Sequence, residues 1–381
     1  MKELETRIQE LTDAASHPRK RLEHYLSQGK QVVGCFPVYA PEVLIHASGL
    51  IPMGLWGAQT QLKLAKQYLP PFACPIMQST LELGLRGSYK GLSAVLIPTL
   101  CDTFRCISQD WKHGVKEIPM IPITYPQNRR IPAAVDFLIS EYEAVLAKLS
   151  MVTGHSPSED TLEASIEICN QHSAAVEAFT RAANDHLDLI TPRVRHGILK
   201  SAHFYEKQEH TAILREITEG LEALPVFPWK GKRVILSGIT AEPEELLDLL
   251  YENGLAVAGD DLAQESRLYR TRIPKGGGSP LRRLARQWMN RQACCLAHED
   301  DRKRGEYLVW LCRRERAQGV LYCQMKFCDP EEYDYPICKK ALAAAGIPVL
   351  MVEIDQQNTS YEPVRTRIQT FAEILEGACT F

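Results

Sequence analysis

The sequence predicts an α/β protein built as two similar parallel-sheet lobes joined by a helical segment, with a metal cluster held between the lobes. Three observations carry this. Apolar strand-like runs come in two sets of four with helical or loop segments between them, the alternation that produces parallel sheets. A long stretch with helical spacing and no β-branched run separates the two sets. The dipeptide Cys-Asp closes one run in each set: Ala94 to Leu100 leads into Cys101-Asp102, and Gly319 to Phe327 leads into Cys328-Asp329. Open α/β sheets hold their chemistry beyond the carboxyl ends of the strands, so matched soft ligands there point to one shared metal site.

The elements follow in order. Leu4, Ile8, Leu11 and Ala15 share a helical face that Pro18 interrupts, and Leu22 and Leu26 resume it before Gly29, giving a helical N-terminal arm over residues 1–28. The first lobe, 29–150, contains the runs Gln31 to Phe36, Leu50 to Trp56, Ala94 to Leu100 and Ile118 to Thr124. Leu162, Ile166, Cys169, Ser173, Val176 and Phe179 mark one face of a helical connector over 151–228. The second lobe, 229–381, contains Arg233 to Ser237, Leu255 to Ala258, Gly319 to Cys323 and Ile347 to Ile354. Details recur between the lobes. Gly29-Lys30-Gln31-Val32-Val33 matches Gly231-Lys232-Arg233-Val234-Ile235, and Ile118-Pro119 through Gln127-Asn128 matches Ile347-Pro348 through Gln357-Asn358. Both lobes are expected to be Rossmann-like.

With 381 residues the chain exceeds one ordinary core. A formal net charge of -3, with Lys and Arg spread along the sequence, gives no footprint for nucleic acid. The charged opening Met1-Lys2-Glu3 and the lack of any long apolar run predict a cytoplasmic protein with no membrane contact. Twelve cysteines in such a chain are expected as thiols or metal ligands instead of a disulfide framework.

Cys74 precedes Pro75 and a helical pattern through Ile76, Leu81 and Leu85, which puts its sulfur at a helix N-terminus and favours the thiolate. Cys74, Cys101 and Cys328 are therefore the three to bring together, and only tertiary folding can do so, because 27 and 227 residues separate them. No short Cys-x-x-Cys step of a ferredoxin or zinc finger occurs, so the residues alone leave open metal ligands or buried, unreactive thiols. Cys35 ends the first strand at the same sheet edge and is the reserve fourth ligand. Cys169, Cys312 and Cys338 lie on apolar faces and are expected in the core; Cys379 lies in the tail; Cys106, Cys294, Cys295 and Cys323 carry no supporting pattern.

Other constellations are weaker. Gly276-Gly277-Gly278-Ser279 lacks the Lys of a P-loop and reads as a turn, and no Gly-x-Gly-x-x-Gly follows the opening strand of either lobe. Asp260-Asp261 and Glu265 fit a helix cap better than a general base. Tyr39 and Glu42 follow strand one, where a substrate could be touched, although Pro41-Glu42 also reads as a plain helix start.

The segments Gly34-Cys35-Phe36-Pro37-Val38-Tyr39-Ala40-Pro41-Glu42, Phe72-Ala73-Cys74-Pro75, Leu100-Cys101-Asp102-Thr103, Asp260-Asp261-Leu262-Ala263-Gln264-Glu265-Ser266-Arg267 and Met325-Lys326-Phe327-Cys328-Asp329-Pro330, taken together over essentially the whole chain, resemble the 2-hydroxyacyl-CoA dehydratase family, above all its β subunits. The resemblance implies a heterodimer with a homologous α subunit and an oxygen-sensitive [4Fe-4S] cluster in each subunit. It also implies a separate ATP-hydrolysing iron-sulfur activator and an acyl-CoA substrate associated chiefly with the α subunit. The family's three cluster cysteines fall on Cys74, Cys101 and Cys328. In the implied reaction, one low-potential electron converts the thioester carbonyl of a 2-hydroxyacyl-CoA to a ketyl radical that expels the C2 hydroxyl, the C3 proton becomes acidic, and the electron is returned. This chain's cluster is expected to relay that electron. The competing readings are a subunit of an aromatic acyl-CoA reductase or double-cubane reductase, which share the scaffold, and a non-enzymatic two-lobed binding protein.

Overall fold

The computed structural model describes residues 1–298, 301–358 and 360–377; Cys379 lies outside the described residues. The arm forms helices α1 (Lys2–Ser16) and α2 (Pro18–Ser27), and Pro18 opens the second at its first position, where its missing N–H costs no bond. The first lobe runs β1 (Val32–Cys35), α3 (Glu42–Ala47), β2 (Ile51–Gly54), α4 (Pro75–Leu85), β3 (Ala94–Thr99), α5 (Asp102–Gly114), β4 (Met120–Thr124) and α6 (Ala133–Thr153). Helices α7 (Glu159–Ala183), α8 (Pro192–Ser201) and α9 (Lys207–Glu222) form the connector. The second lobe runs β5 (Lys232–Gly238), α10 (Glu244–Glu252), β6 (Leu255–Leu262), α11 (Ser266–Tyr269), α12 (Pro280–Met289), α13 (Arg304–Glu315), β7 (Gly319–Met325), α14 (Asp329–Ala344), β8 (Val349–Ile354) and α15 (Glu362–Gly377).

Each lobe has one all-parallel, four-stranded sheet, ordered β2-β1-β3-β4 in the first and β6-β5-β7-β8 in the second. The order is the same in both. In each, the connections turn in opposite directions from the two central strands, which opens a crevice beyond their carboxyl ends. The buried runs Val32-Val33, Val95-Leu96-Ile97 and Val320-Leu321-Tyr322 lie in these central strands, covered on both faces as parallel sheets require.

The arm does not stand apart. Leu4, Ile8, Leu11 and Ala14 of α1 share a core with Phe179 of α7, Ile198 and Leu199 of α8, and Ile213, Leu214 and Ile217 of α9. The two lobes also exchange contacts through their matching segments after the fourth strand. After β4, Arg129 donates to the carbonyls of Trp288, Arg291 and Ala297 in the second lobe. After β8, Gln356 donates from Nε2 to Trp56 O at 2.9 Å, and Gln357 Oε1 accepts from Thr60 N at 2.9 Å. The repeat seen as sequence is thus a pair of reciprocal clasps. Among the described residues no helix is long and apolar enough to cross a membrane.

Candidate functional site

Both Cys-Asp dipeptides are strand-to-helix joints. Cys101 is the residue before α5 and Cys328 the residue before α14, each followed by an Asp in the helix's first turn, where its charge complements the helix dipole. Cys74 holds the equivalent place before α4, with Pro75 next. Their non-helical backbones leave each sulfur beside N–H groups of the first turn: Ile76 and Met77 for Cys74, Thr103 and Phe104 for Cys101, Glu331 for Cys328. All three line a single cavity of about 510 Å³ between the lobes, together with Asp102, Arg105, Gln127, Cys294, Cys295, Arg304 and Asp329.

The expected low thiol pKa does not hold for the metal-free cysteines. Burial pushes Cys74 up to about 12 despite its two N–H contacts, and it also raises Cys101 and, strongly, Cys328. Desolvation outweighs the helix N-termini. The thiols raise one another as well, Cys101 acting on Cys74, and both acting on Cys328, as closely grouped sulfurs do. A bound metal replaces the thiol proton outright, so a site that disfavours a bare thiolate can still favour a coordinated one. Among the described residues no three His, Cys, Asp or Glu side chains converge as ligands of a single ion. Thiols spaced around a void suit a polynuclear cluster, which takes one thiolate per iron.

The rest of the cysteines sort clearly. Cys35 is buried at the end of β1, but its charged neighbours are Glu42 and Lys207 and it does not line the cavity, so it is misplaced as a reserve ligand. Cys312 and Cys338 lie in the second lobe's core, Cys169 packs against the main core, and Cys106 is exposed on α5. Cys294 and Cys295, which no pattern in the sequence marks, lie on the cavity wall.

Behind that wall is a buried polar network. Cys295 Sγ donates to Glu331 Oε1 at 3.1 Å, and Arg267 Nη1 reaches the same carboxylate at 3.1 Å. Arg304 spans Glu331 at 2.9 Å and Asp261 at 2.8 Å; Asp261 also holds Arg267 at 2.9 Å and Arg270 at 2.6 Å. Tyr322 donates to Glu331 Oε2 at 2.7 Å. Burial opposes ionisation of Asp261, but the guanidinium groups of Arg267, Arg304 and Arg270 hold it well below the usual carboxylate range. Asp261 is therefore a structural hub and no helix cap. Asp260 does serve the cap role, accepting from Ser266 N at 2.9 Å, and Glu265 pairs with His196 at 2.7 Å.

Tyr39 and Glu42 line a separate cavity of about 90 Å³, where Glu42 pairs with Lys207 at 2.9 Å. Arg291 lies 3.9 Å from the Tyr39 ring centre, and the Tyr39 hydroxyl is 3.0 Å from Cys294 Sγ. Tyr39 thereby touches the back of the cysteine cavity, and Glu42 does not line it. The sequence signals none of these pairings, since Lys207, Arg291 and Cys294 lie far along the chain without a shared spacing.

Residues 37–375 match the family described as 2-hydroxyglutaryl-CoA dehydratase, D-component. The chain is 42% identical to the lactoyl-CoA dehydratase subunit beta of Anaerotignum propionicum, over 98% of this chain and 100% of that one. It is 41% identical to the (R)-phenyllactyl-CoA dehydratase beta subunit of Clostridium sporogenes, over 95% and 97% of the two chains. Identity to the (R)-2-hydroxyglutaryl-CoA dehydratase subunit beta of Acidaminococcus fermentans is 35%, over 97% and 98%.

Proposed function

Because the chain belongs to the 2-hydroxyglutaryl-CoA dehydratase D-component family and matches three dehydratase β subunits over 95–98% of its length, we propose that it is the β subunit of a cytoplasmic 2-hydroxyacyl-CoA dehydratase that converts an (R)-2-hydroxyacyl-CoA to the 2-enoyl-CoA. In this reading Cys74, Cys101 and Cys328 hold a [4Fe-4S] cluster. The observation that carries it is the meeting of three helix-capping cysteines from two lobes at one cavity.

The donor set fits such a group. Three soft sulfurs match iron, and the N–H groups of three helix N-termini complement the negative charge of thiolates joined to a cluster. When bound, the cluster supplies one-electron redox chemistry at a potential tuned by its hydrogen bonds and burial. The chain's own residues keep most of each sulfur from water and fix its direction. Phe327 and Tyr333, 39% and 74% exposed, lie on the wall of this cavity, and Phe72, 67% exposed, lies two residues before Cys74. An apolar rim of this kind suits cover by another protein. The partners in this reading are a homologous α subunit, which carries the acyl-CoA, and an ATP-hydrolysing activator whose electron this chain relays.

The test is anaerobic purification with iron analysis, absorbance and EPR. About four irons per chain are expected, with iron lost in Cys101→Ser and Cys328→Ser. A colourless protein whose variants behave like the parent would refute the cluster.

A further inference from the structure

We infer that the small chamber where the two lobes and the connector meet is a binding site for a small carboxylate anion, held by Arg291; the inference is independent of the cluster and goes beyond the dehydratase reading. The chamber, of about 90 Å³, is lined by Tyr39 and Tyr142 of the first lobe, Cys169 and His172 of α7, and Arg291 of the loop after α12. Glu42 and Lys207 also line it and pair with each other at 2.9 Å.

Arg291 is 7% exposed and has no such partner. Among the described residues no carboxylate forms an ion pair with it. Its one side-chain hydrogen bond runs from Nη1 to Leu268 O at a long 3.4 Å, and the guanidinium otherwise lies on the Tyr39 ring. A cation–π contact offsets only part of the cost of taking a guanidinium out of water. The chamber thus sets two cations, Arg291 and Lys207, against the single carboxylate of Glu42.

No neighbouring group supplies the missing negative charge by ionising. Burial pushes the Tyr39, Tyr125 and Tyr142 phenols up, against the pull of the Arg291 charge, and the Cys169 thiol up to about 12. Cys294, 3.0 Å from the Tyr39 hydroxyl, faces the guanidinium groups of Arg267 and Arg270 instead. Burial and the Lys207 charge keep His172 neutral.

The walls select the ligand. With Nη1 turned to Leu268 O, the Nε and Nη2 edge is the fork that takes both oxygens of a carboxylate. Val43, Ile273 and Leu284 complete the lining with apolar surface, which suits a short alkyl tail and disfavours a strongly hydrated chloride or sulfate. The space is about that of three waters in the liquid, which fits an anion of formate or acetate size and is too small for a nucleotide. Ser173 and Tyr269 line both this chamber and a wider cavity of about 730 Å³, a route from the surface past exposed Trp310.

Only the folded chain presents the chamber, so a bound anion raises the unfolding temperature. The experiment is anaerobic thermal unfolding of the whole protein in carboxylate-free buffer, titrated with sodium acetate or with sodium chloride at the same ionic strength. Proton NMR of acid-denatured protein first identifies any carboxylate carried through purification, and iron is measured on the same samples so that a failed cluster reading is seen separately. The expected result is a saturable rise with acetate that chloride does not give. Arg291→Lys, which keeps the charge and loses the fork, should raise the dissociation constant about tenfold or more. Arg291→Gln should lose the response and, without carboxylate, unfold at no lower temperature than the parent, since it removes an unpaired buried charge. A parent that carries no carboxylate and does not respond to acetate overturns the inference, as does an equal response to chloride or a response kept in Arg291→Gln. Saturation-transfer NMR of the acetate methyl protons on the parent gives a reading that needs no variant: transfer displaced by formate and not by chloride is expected, and transfer that chloride displaces equally overturns the inference.

Discussion

The two lobes share one strand order and differ in what they place at the ends of the strands. The first lobe supplies two thiols, Cys74 and Cys101, each at a helix N-terminus, and its central strands carry apolar side chains. The second supplies Cys328 and backs it with Asp261, Arg267, Arg304, Tyr322 and Glu331, all buried. Topology fixes where a site lies; the character of each wall is written in the side chains. The buried ions hold Glu331, and through it Cys295, against the cavity.

The sharpest way to break this contrast is Arg304→Ala. It removes one of the two guanidinium groups that Asp261 and Glu331 share, leaving Arg267 alone to bridge them, and a loss of about 3–5 kcal/mol is expected by anaerobic urea unfolding. A loss below about 1 kcal/mol would mean that the charged wall contributes no more than the surface pairs do.

A smaller effect should appear with pH, because α8 and the turn after it face the lobes through different histidines. The His203 ring lies tilted against Trp56 of the first lobe, 5.0 Å between ring centres; burial and the Lys207 charge push it down to about 4. Its contribution is present above the unfolded value of about 6.5 and is lost as pH falls through about 4. His196 faces Glu242 and Glu265 of the second lobe, and these carboxylates outweigh burial to raise it to about 9. Its contribution is present below about 6.5 and is lost as pH rises through about 9. Melting temperatures should therefore fall on both sides, with His203→Gln flattening the acid limb and His196→Gln the alkaline one. Both variants acting on one limb would contradict the assignment.

The smallest effect sharpens the comparison from the first lobe. Cys35→Ala should cost about 1 kcal/mol by urea unfolding and leave the iron content unchanged, since Cys35 packs as a small core residue away from the cavity.

Much of the fold was legible. All eight strands lie where the apolar runs predict them, because parallel strands covered on both faces read as short unbroken apolar segments. The meeting of Cys74, Cys101 and Cys328 was legible for a related reason: strand ends and Pro-marked helix starts fix backbone positions at one sheet edge. Cys35 shows the limit of that logic. It ends a strand at the same edge, but side chains alternate across a sheet, and its sulfur lies with Glu42 and Lys207. Cys294 and Cys295 were illegible because their loop is positioned by Arg129 and Arg270, through hydrogen bonds to main-chain carbonyls that leave no trace in residue type or spacing. Asp261 looked like a cap for the same reason, its three arginine partners lying outside any local pattern.

The clasped lobes also dictate an order of biosynthesis. Cys74 and Cys101 leave the ribosome early and in one lobe, while Cys328 follows 227 residues after Cys101. Domains fold as they emerge, N-terminal first, so a nascent chain presents two of the three thiols long before the third is translated. In the cluster reading, this cavity has its three thiols only once residue 328 has been translated.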